Sequence, residues 1–245
     1  MAKYILFDTE TTGNSIDDRI IQIGGMIIHD KDNIEVFDEL CSTTIPISIE
    51  AMAVHHITPE QLNGKPPFIQ SSFLAELERY NDPSNFLIAH NINFDLDMLK
   101  KEGFENNYTL IDTLRCAKHL LSDQNSHALQ YLRYSLGLYK NEIDEATKLG
   151  VTIKAHDAIG DVLVMKLLLS KLVERTKEQF GAADIMSTLA KLTITPVLIS
   201  IFKFGKYKDR YIEDIAKEDF GYLEWMRKNL ELDEDMRYTL DYYLR

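Results

Sequence analysis

A short apolar run, Tyr4 to Phe7, leads without a break into Asp8-Thr9-Glu10. The run reads as a buried strand. Side chains two apart on a strand face the same way, so both carboxylates project to one side at its exposed end. Two carboxylates held that close repel each other unless a cation lies between them. A fold that buries this strand must therefore leave its end open to solvent or to a cation. Thr11-Thr12-Gly13 then makes a tight turn whose backbone can approach a ligand closely. An isolated Asp-x-Glu is most simply a solvated strand end, so the rest of the chain has to decide.

The first third reads as a three-strand meander. Tyr4–Phe7, Ile20–His29 and Ile34–Cys41 are rich in β-branched and aromatic residues and are divided by polar turns. Gly24-Gly25 inside the second strand marks a bulge or a close backbone approach. Helical stretches are expected around Ile49–His55, from Thr58-Pro59-Glu60 and over Phe68–Tyr80. Phe86–Ala89 reads as a buried parallel strand, Phe94–Glu102 as a helix ended by Gly103, and Leu110-Ile111 as a further strand. Helices near Thr113–Leu121 and His127–Leu136 follow, and Ala158–Lys177 is the longest helix, with a broad apolar face. A meander followed by β-α alternation implies an α/β domain with a mixed sheet over residues 1–180. The character changes beyond Gly181. Ile194–Phe204 is a strand candidate interrupted by Pro196, and Glu218–Asn229 and Glu234–Leu244 are helical. Residues 192–245 thus read as a small α+β domain.

Two more segments carry acids where elements begin. In Ala89-His90-Asn91-Ile92-Asn93-Phe94-Asp95 an apolar strand runs into a polar turn and a helix, with Asn91 or Asn93 as N-cap and Asp95 in the first helical turn. His156-Asp157-Ala158-Ile159-Gly160-Asp161 opens the longest helix. Five residues of helix rotate through about 500°, so His156 and Asp161 do not share a helix face. That puts His156 on the preceding loop, Asp157 at the N-cap or first turn, and Asp161 inward on a rigid helix. Together the segments supply four carboxylates and a histidine. Mg²⁺ takes oxygen ligands and keeps waters and phosphates in its shell. A pair of such ions clamps the attacking and leaving oxygens of phosphoryl transfer, and a histidine titrating near neutrality suits the deprotonation of water.

Phe7-Asp8-Thr9-Glu10-Thr11-Thr12-Gly13, His90-Asn91-x-x-Phe94-Asp95 and His156-x-Ala158-x-x-Asp161 resemble, in order and spacing, the three motifs of the DEDDh 3′→5′ exonucleases. That family includes the proofreading epsilon subunit of bacterial DNA polymerase III, RNase T, oligoribonuclease and exonuclease X. The resemblance covers about residues 3–175. It implies a ribonuclease-H-like fold with a mixed five-stranded sheet flanked by helices. It also implies two Mg²⁺ ions, replaceable by Mn²⁺, held by Asp8, Glu10, Asp95 and Asp161, with His156 as general base. Thr11 and Thr12 would contact the terminal nucleotide and Glu10 its 3′-hydroxyl. Val54-His55-His56-Ile57-Thr58 is similar to the family's His-Gly-Ile-Thr segment, with His56 in place of glycine. The tail, Phe204-Gly205-Lys206-Tyr207-Lys208 with Gly221-Tyr222-Leu223-x-Trp225, resembles the C-terminal domain of some exonuclease X-like proteins, with Asp209 at a glycine position.

Charge bears on the partner. The chain has 27 basic and 39 acidic residues, a net of −12, whereas a protein that holds nucleic acid by bulk charge is normally basic. Ions meeting the scissile phosphate in place of lysines would account for the acidity. Lys203, Lys206, Lys208 and Arg210 form a local basic cluster interleaved with aromatic rings, and strand alternation would put Lys206 and Lys208 on one face, where a solvated hairpin and a DNA contact are both open readings. The expected activity is exonucleolytic hydrolysis of DNA 3′ ends to nucleoside 5′-monophosphates, in repair or turnover. RNA 3′-end trimming, a proofreading subunit on a polymerase, and a non-catalytic interaction subunit are the alternatives. Against the last, no motif carboxylate or histidine is missing. Two cysteines, Cys41 and Cys116, and no CxxC fit a reducing cytoplasm. No leader is expected, because Lys3 to Phe7 already reads as a strand with Asp8 following at once, and no membrane span, because the longest apolar stretches contain Lys166 or Pro196 and are short.

Overall fold

The structure, a computed structural model, describes residues 2–152 and 157–245. β1 (Tyr4–Thr11), β2 (Ile20–Ile28) and β3 (Ile34–Leu40) form the antiparallel meander. β4 (Phe86–Ala89) lies parallel to β1, and β5 (Thr109–Asp112) parallel to β4. The result is one mixed sheet in the order β3-β2-β1-β4-β5. β1 is longer than its apolar run. It continues through Asp8 and Glu10 to Thr11 because β2 pairs with it along its whole length. β4 pairs only with Tyr4, Ile5 and Leu6. Past Leu6, β1 thus has a strand neighbour on one side alone, at the carboxyl ends of β1 and β4, the usual place for a ligand in sheets of this kind.

Both faces of the sheet are covered. Ile5, Phe7, Ile27 and Leu87 pack with α2 (Ser72–Arg79) and α3 (Ile92–Lys101), through Phe73, Leu77, Met98 and Leu99. Leu6, Met26, Ile88 and Ile111 face α4 (Thr113–Leu120), α7 (Ala158–Phe180) and α8 (Ile185–Ile194). α1 (Ile49–His55) lies under the end of β2, and α5 (Leu129–Ser135) and α6 (Tyr139–Leu149) lean on α7. The pattern of apolar residues does not reveal α6, because it buries only Glu142 and Ala146. Its anchors are ionic, from Glu142 to Arg133 and from Glu145 to Lys166.

Gly24 and Gly25 are a close approach on both faces. A Cβ on Gly24 would lie 2.4 Å from the carbonyl carbon of Ala158 and the nitrogen of Ile159, and one on Gly25 would lie 2.2 Å from the Phe73 ring. Gly24 pairs with Asp8 and Gly25 with Phe7. The first turn of α7 therefore sits on bare backbone directly beside Asp8.

The C-terminal region departs from the expected pattern. The strand over 194–204 does not form. α8 runs to Ile194, and the amides that a strand would use are taken by side chains of α11 (Glu234–Tyr243). Val197 N donates to Asp235 and Ile199 N to Thr239, while Pro196 has no N–H to offer. What remains is an isolated bridge, Ile201 to Tyr211, beside α9 (Ile212–Glu218), α10 (Phe220–Asn229) and α11, around a core of Phe202, Ile212, Ile215, Leu223, Met226 and Leu240. Arg115 on α4 makes a two-toothed ion pair with Asp235 and also donates to the carbonyls of Thr193 and Thr195. Both cysteines are free and buried. Among the described residues no helix is long and apolar enough to cross a membrane.

Gly24→Ala should destabilise the protein by about 1–3 kcal/mol, since the atoms it meets are backbone and cannot rotate away. Urea unfolding monitored by circular dichroism would measure this.

Candidate active site

Alternation along β1 sorts its polar residues. Asp8 and Glu10 share the face of Leu6, toward α7, whereas Thr9 shares the face of Ile5 and Phe7, toward α3. Thr9 donates from both its backbone N (3.1 Å) and its hydroxyl (2.7 Å) to Oδ1 of Asp95, in the first turn of α3. The turn before α3 needs a left-handed residue, supplied by Asn91 at φ 71°. Asn91 occupies the N-cap position but caps nothing with its side chain. Its own N–H is held by Asp112 Oδ1, which also accepts from Leu114 N and Arg115 N. Asp95 is thereby brought to the end of β1 and buried.

The start of α7 is fixed from β2. Gln22, opposite Glu10 in the ladder, donates to Asp157 (2.6 Å) and to Asp38 (2.8 Å), and its carbonyl accepts from Ala158 N. Asp157 stands at the N-cap position without capping the helix itself. One turn on, Asp161 Oδ1 accepts from Gln130 Nε2 at 2.6 Å. His156, the expected base, lies outside the described residues.

The carboxylates act on one another. Burial pushes Asp8 well above the usual carboxylate range, and the charges of Asp95, Asp161 and Glu10 push it further. Burial and the charges of Asp161, Asp95 and Asp157 push Glu10 up to about 8. Asp95 is pushed up to about 7, by burial first, with Asp112 adding and the bonds from Thr9 opposing. The structure therefore brings all four expected acids into one electrostatic cluster. Among the described residues no three acidic, histidine or cysteine side chains stand close enough to hold a metal ion as they are. The donor set, carboxylate oxygens with charge left unneutralised among themselves, fits a hard divalent cation.

The neighbouring turn is rigid. Thr11 and Thr12, expected to meet a nucleotide, spend their hydroxyls on the fold. Thr11 donates to the Gly13 carbonyl, and Thr12 donates to Asp18 and accepts from Arg19 N. The segment similar to His-Gly-Ile-Thr supports them from below. His55 donates from Nε2 to the Thr11 carbonyl and accepts at Nδ1 from Ile57 N, which fixes it as the neutral Nε2–H tautomer, and burial lowers its pKa. His56 sits at φ 61°, the left-handed region that favours the glycine of the family pattern. In the tail, residues 204–210 form bends and a turn, so the strand alternation expected for Lys206 and Lys208 does not apply. Lys206 pairs with Asp219 and lies over the Tyr207 ring, and Arg210 pairs with Glu218. Asp209 adopts φ 66°, keeping a glycine-like conformation at the position where the family pattern has glycine.

Sequence reasoning missed the orienting groups Thr9, Gln22 and Gln130. Thr9 lay inside a recognised motif. Gln22 and Gln130 carry no spacing signal, since only the fold brings them to the acids.

The exonuclease family of RNase T type matches residues 5–169, and the exodeoxyribonuclease X-like C-terminal family matches residues 202–231. Exodeoxyribonuclease 10 of Escherichia coli is 29% identical over 98% of this chain and 97% of its own. A PolC-type DNA polymerase III of Caldanaerobacter subterraneus is 33% identical over 53% of this chain, which is 9% of the polymerase. Among solved structures, exonuclease X in complex with 5′-overhanging duplex DNA superposes with a TM-score of 0.54 at 23% identity, over 76% of this chain and 99% of that one. A zinc-bound complex of E. coli exonuclease I with single-stranded DNA gives 0.54 at 19% identity, over 77% and 43%.

Groups with raised pKa values make the metal-free protein sensitive to alkali. The stabilising protonation of Glu10 and Asp95 is complete below their ordinary values near 4, and is lost as pH rises through about 7 for Asp95 and about 8 for Glu10. In EDTA the melting temperature should fall between pH 5 and 8. Glu10→Gln should flatten that fall and raise the pH 8 value by about 2–4 °C, the shift expected of ~1 kcal/mol in a chain of this size. Differential scanning calorimetry across pH would measure both.

Proposed function

The chain belongs to the RNase T exonuclease family, and on that premise we propose that it removes nucleotides from the 3′ ends of DNA, releasing nucleoside 5′-monophosphates. Two Mg²⁺ ions would be held by Asp8, Glu10, Asp95 and Asp161, with Mn²⁺ able to substitute. The observation that carries this reading is the convergence of Glu10, Asp95 and Asp161 on the buried Asp8 at the end of β1, close enough for their charges to act on it. Bound cations would supply the positive charge that phosphodiester hydrolysis needs at the scissile group. The chain's own residues do the rest. Thr9 and Gln130 hold Asp95 and Asp161 from outside the cluster. The rigid 11–13 turn, backed by His55, forms a lip against which a terminal nucleotide can lie. Glu10, beside that lip, is assigned the 3′-hydroxyl. His156 takes the proton of the attacking water, a task suited to a group that titrates near neutrality.

DNA is preferred to RNA because a relative matched over nearly its whole length and nearly this whole chain is an exodeoxyribonuclease, and the tail matches the X-like C-terminal family. We assign the work to DNA repair or turnover in the cytoplasm, and longer strands to Lys206, Lys208 and the exposed rings Phe204 and Trp225. The ion pair of Lys206 with Asp219 is exposed and hence weak enough to be exchanged for a phosphate.

End-labelled single-stranded DNA, duplex DNA and RNA of one sequence, incubated with Mg²⁺ or EDTA, should show stepwise shortening from the 3′ end, fastest on DNA and absent in EDTA. Asp8→Ala or Asp161→Ala should abolish it, and His156→Ala should slow it about 10²–10⁴-fold. Preference for RNA would overturn the substrate assignment, and full activity of either aspartate variant would overturn the site. Lys206→Ala/Lys208→Ala should flatten the slope of log affinity against log salt by about 1–2. An unchanged slope would free the tail from DNA.

A further inference from the structure

α5 carries a polar chain that ends on the active-site cluster. Gln130 Nε2 donates to Asp161 Oδ1 at 2.6 Å, and Gln130 Oε1 accepts from Arg133 at 3.1 Å. Arg133 in turn grips Glu142 on α6 with two nitrogens, Nε to Oε1 at 2.6 Å. Glu142 is buried, and the Arg133 side chain is only 18% exposed. The direction of the amide between them is not arbitrary. A guanidinium only donates and a carboxylate only accepts, so Gln130 can satisfy both in one orientation alone, oxygen toward Arg133 and nitrogen toward Asp161. A second tie sets where α5 begins. His90, at the end of β4, donates from Nε2 to the His127 carbonyl at 2.9 Å. The register of Gln130 is thus fixed from β4 and from α6 together.

We propose that Gln130 is a positioning residue of Asp161: its amide, anchored by the buried Arg133–Glu142 pair, holds Oδ1 and so sets the orientation of this carboxylate at the metal-binding cluster. This rests on the reading of that cluster given above. Holding one oxygen fixes the side-chain torsions of Asp161 before any cation arrives, and outer-shell partners of this kind are typically worth 10–100-fold in metal affinity. An amide does so without neutralising the acid, whereas a lysine or arginine in the same place would compete with the cation. The relay also gives α6 a purpose. The helix buries little apolar surface, and its Glu142 keeps Arg133 from reaching past Gln130 to the acids.

The test compares Mn²⁺ binding, by electron paramagnetic resonance or calorimetry on the full chain, for the wild type, Gln130→Leu, Gln130→Glu and Asp161→Asn. Gln130→Leu should bind Mn²⁺ 10–100-fold more weakly and lose kcat on a short oligonucleotide with KM unchanged, while its melting temperature in EDTA stays within a few degrees of wild type. Gln130→Glu keeps the size but sets an acceptor against a carboxylate, and it should be at least as impaired. Removing both anchor charges together, in Arg133→Met/Glu142→Leu, should weaken Mn²⁺ binding as well, and its effect should not add to that of Gln130→Leu. If Asp161→Asn binds Mn²⁺ as the wild type does, the reading of the cluster fails. If Asp161→Asn is impaired but both Gln130 variants bind as the wild type does, the cluster stands and the positioning role is overturned. A loss in Gln130→Leu that appears equally in the EDTA melting temperature would reduce the contact to a stitch between α5 and α7 and would also overturn it.

Discussion

Like charge forced together at the end of β1 governs what surrounds it. Burial raises the cost of ionising Asp8, and Asp95, Asp161 and Glu10 each raise it further. Such a cluster can be useful only if its members stay ionisable and stay in place. Among the described residues, Asp95 is held by a threonine hydroxyl and amide N–H, and Asp161 accepts from a glutamine amide. A neutral donor fixes the direction of a carboxylate without cancelling its charge. The charged donor in this network, Arg133, stands one side chain further back and is matched by Glu142. These bonds leave the carboxylates free to bear negative charge, which is what a site for hard cations requires.

Geometry at the next level follows from two missing side chains. Gly24 and Gly25 let α7 and α2 come down on opposite faces of β2 beside the residues that pair with Asp8 and Phe7. A methyl at Gly24 would lift the start of α7, and with it Asp157 and Asp161, away from β1. Protein interiors transmit such displacements because they are close-packed. The glycine pair, remote from the chemistry in composition, thus sets the distance across which the carboxylates interact.

Much of this was legible in the sequence, and the exceptions share a cause. The meander, the two parallel strands and the long helix follow from runs of apolar residues, and the motif acids follow from their places at the ends of those runs. β1 outran its apolar segment because β2 pairs with it past Phe7, a long-range fact. α6 escaped notice because its anchors are Glu142 and Glu145 on partners in other helices, so its apolar periodicity is weak. The strand expected around Pro196 failed because Asp235 and Thr239, some forty residues later, capture the amides it would have used. In each case a tertiary partner overrode or supplied what local pattern lacked.

The same kind of long-range partner joins the tail to the acids. Asp112, at the end of β5, accepts from Asn91 N and so sets the turn that delivers Asp95. Its own N–H is held by the hydroxyl of Thr193, near the end of α8. Two residues along from Thr193, the Thr195 carbonyl takes an Arg115 nitrogen, and Arg115 closes on Asp235 of α11. A buried ion pair of this type is costly to break from one side, because the partner is left charged and unpaired. The tail is therefore built into the frame of the site. Removing it would strip partners from Asp112 and Arg115 at the base of the turn that carries Asp95, whatever the tail itself grips. A chain as acidic as this one, with its tail cations Lys206 and Arg210 already opposed by Asp219 and Glu218, relies first on that frame and only second on surface charge to meet a polyanion.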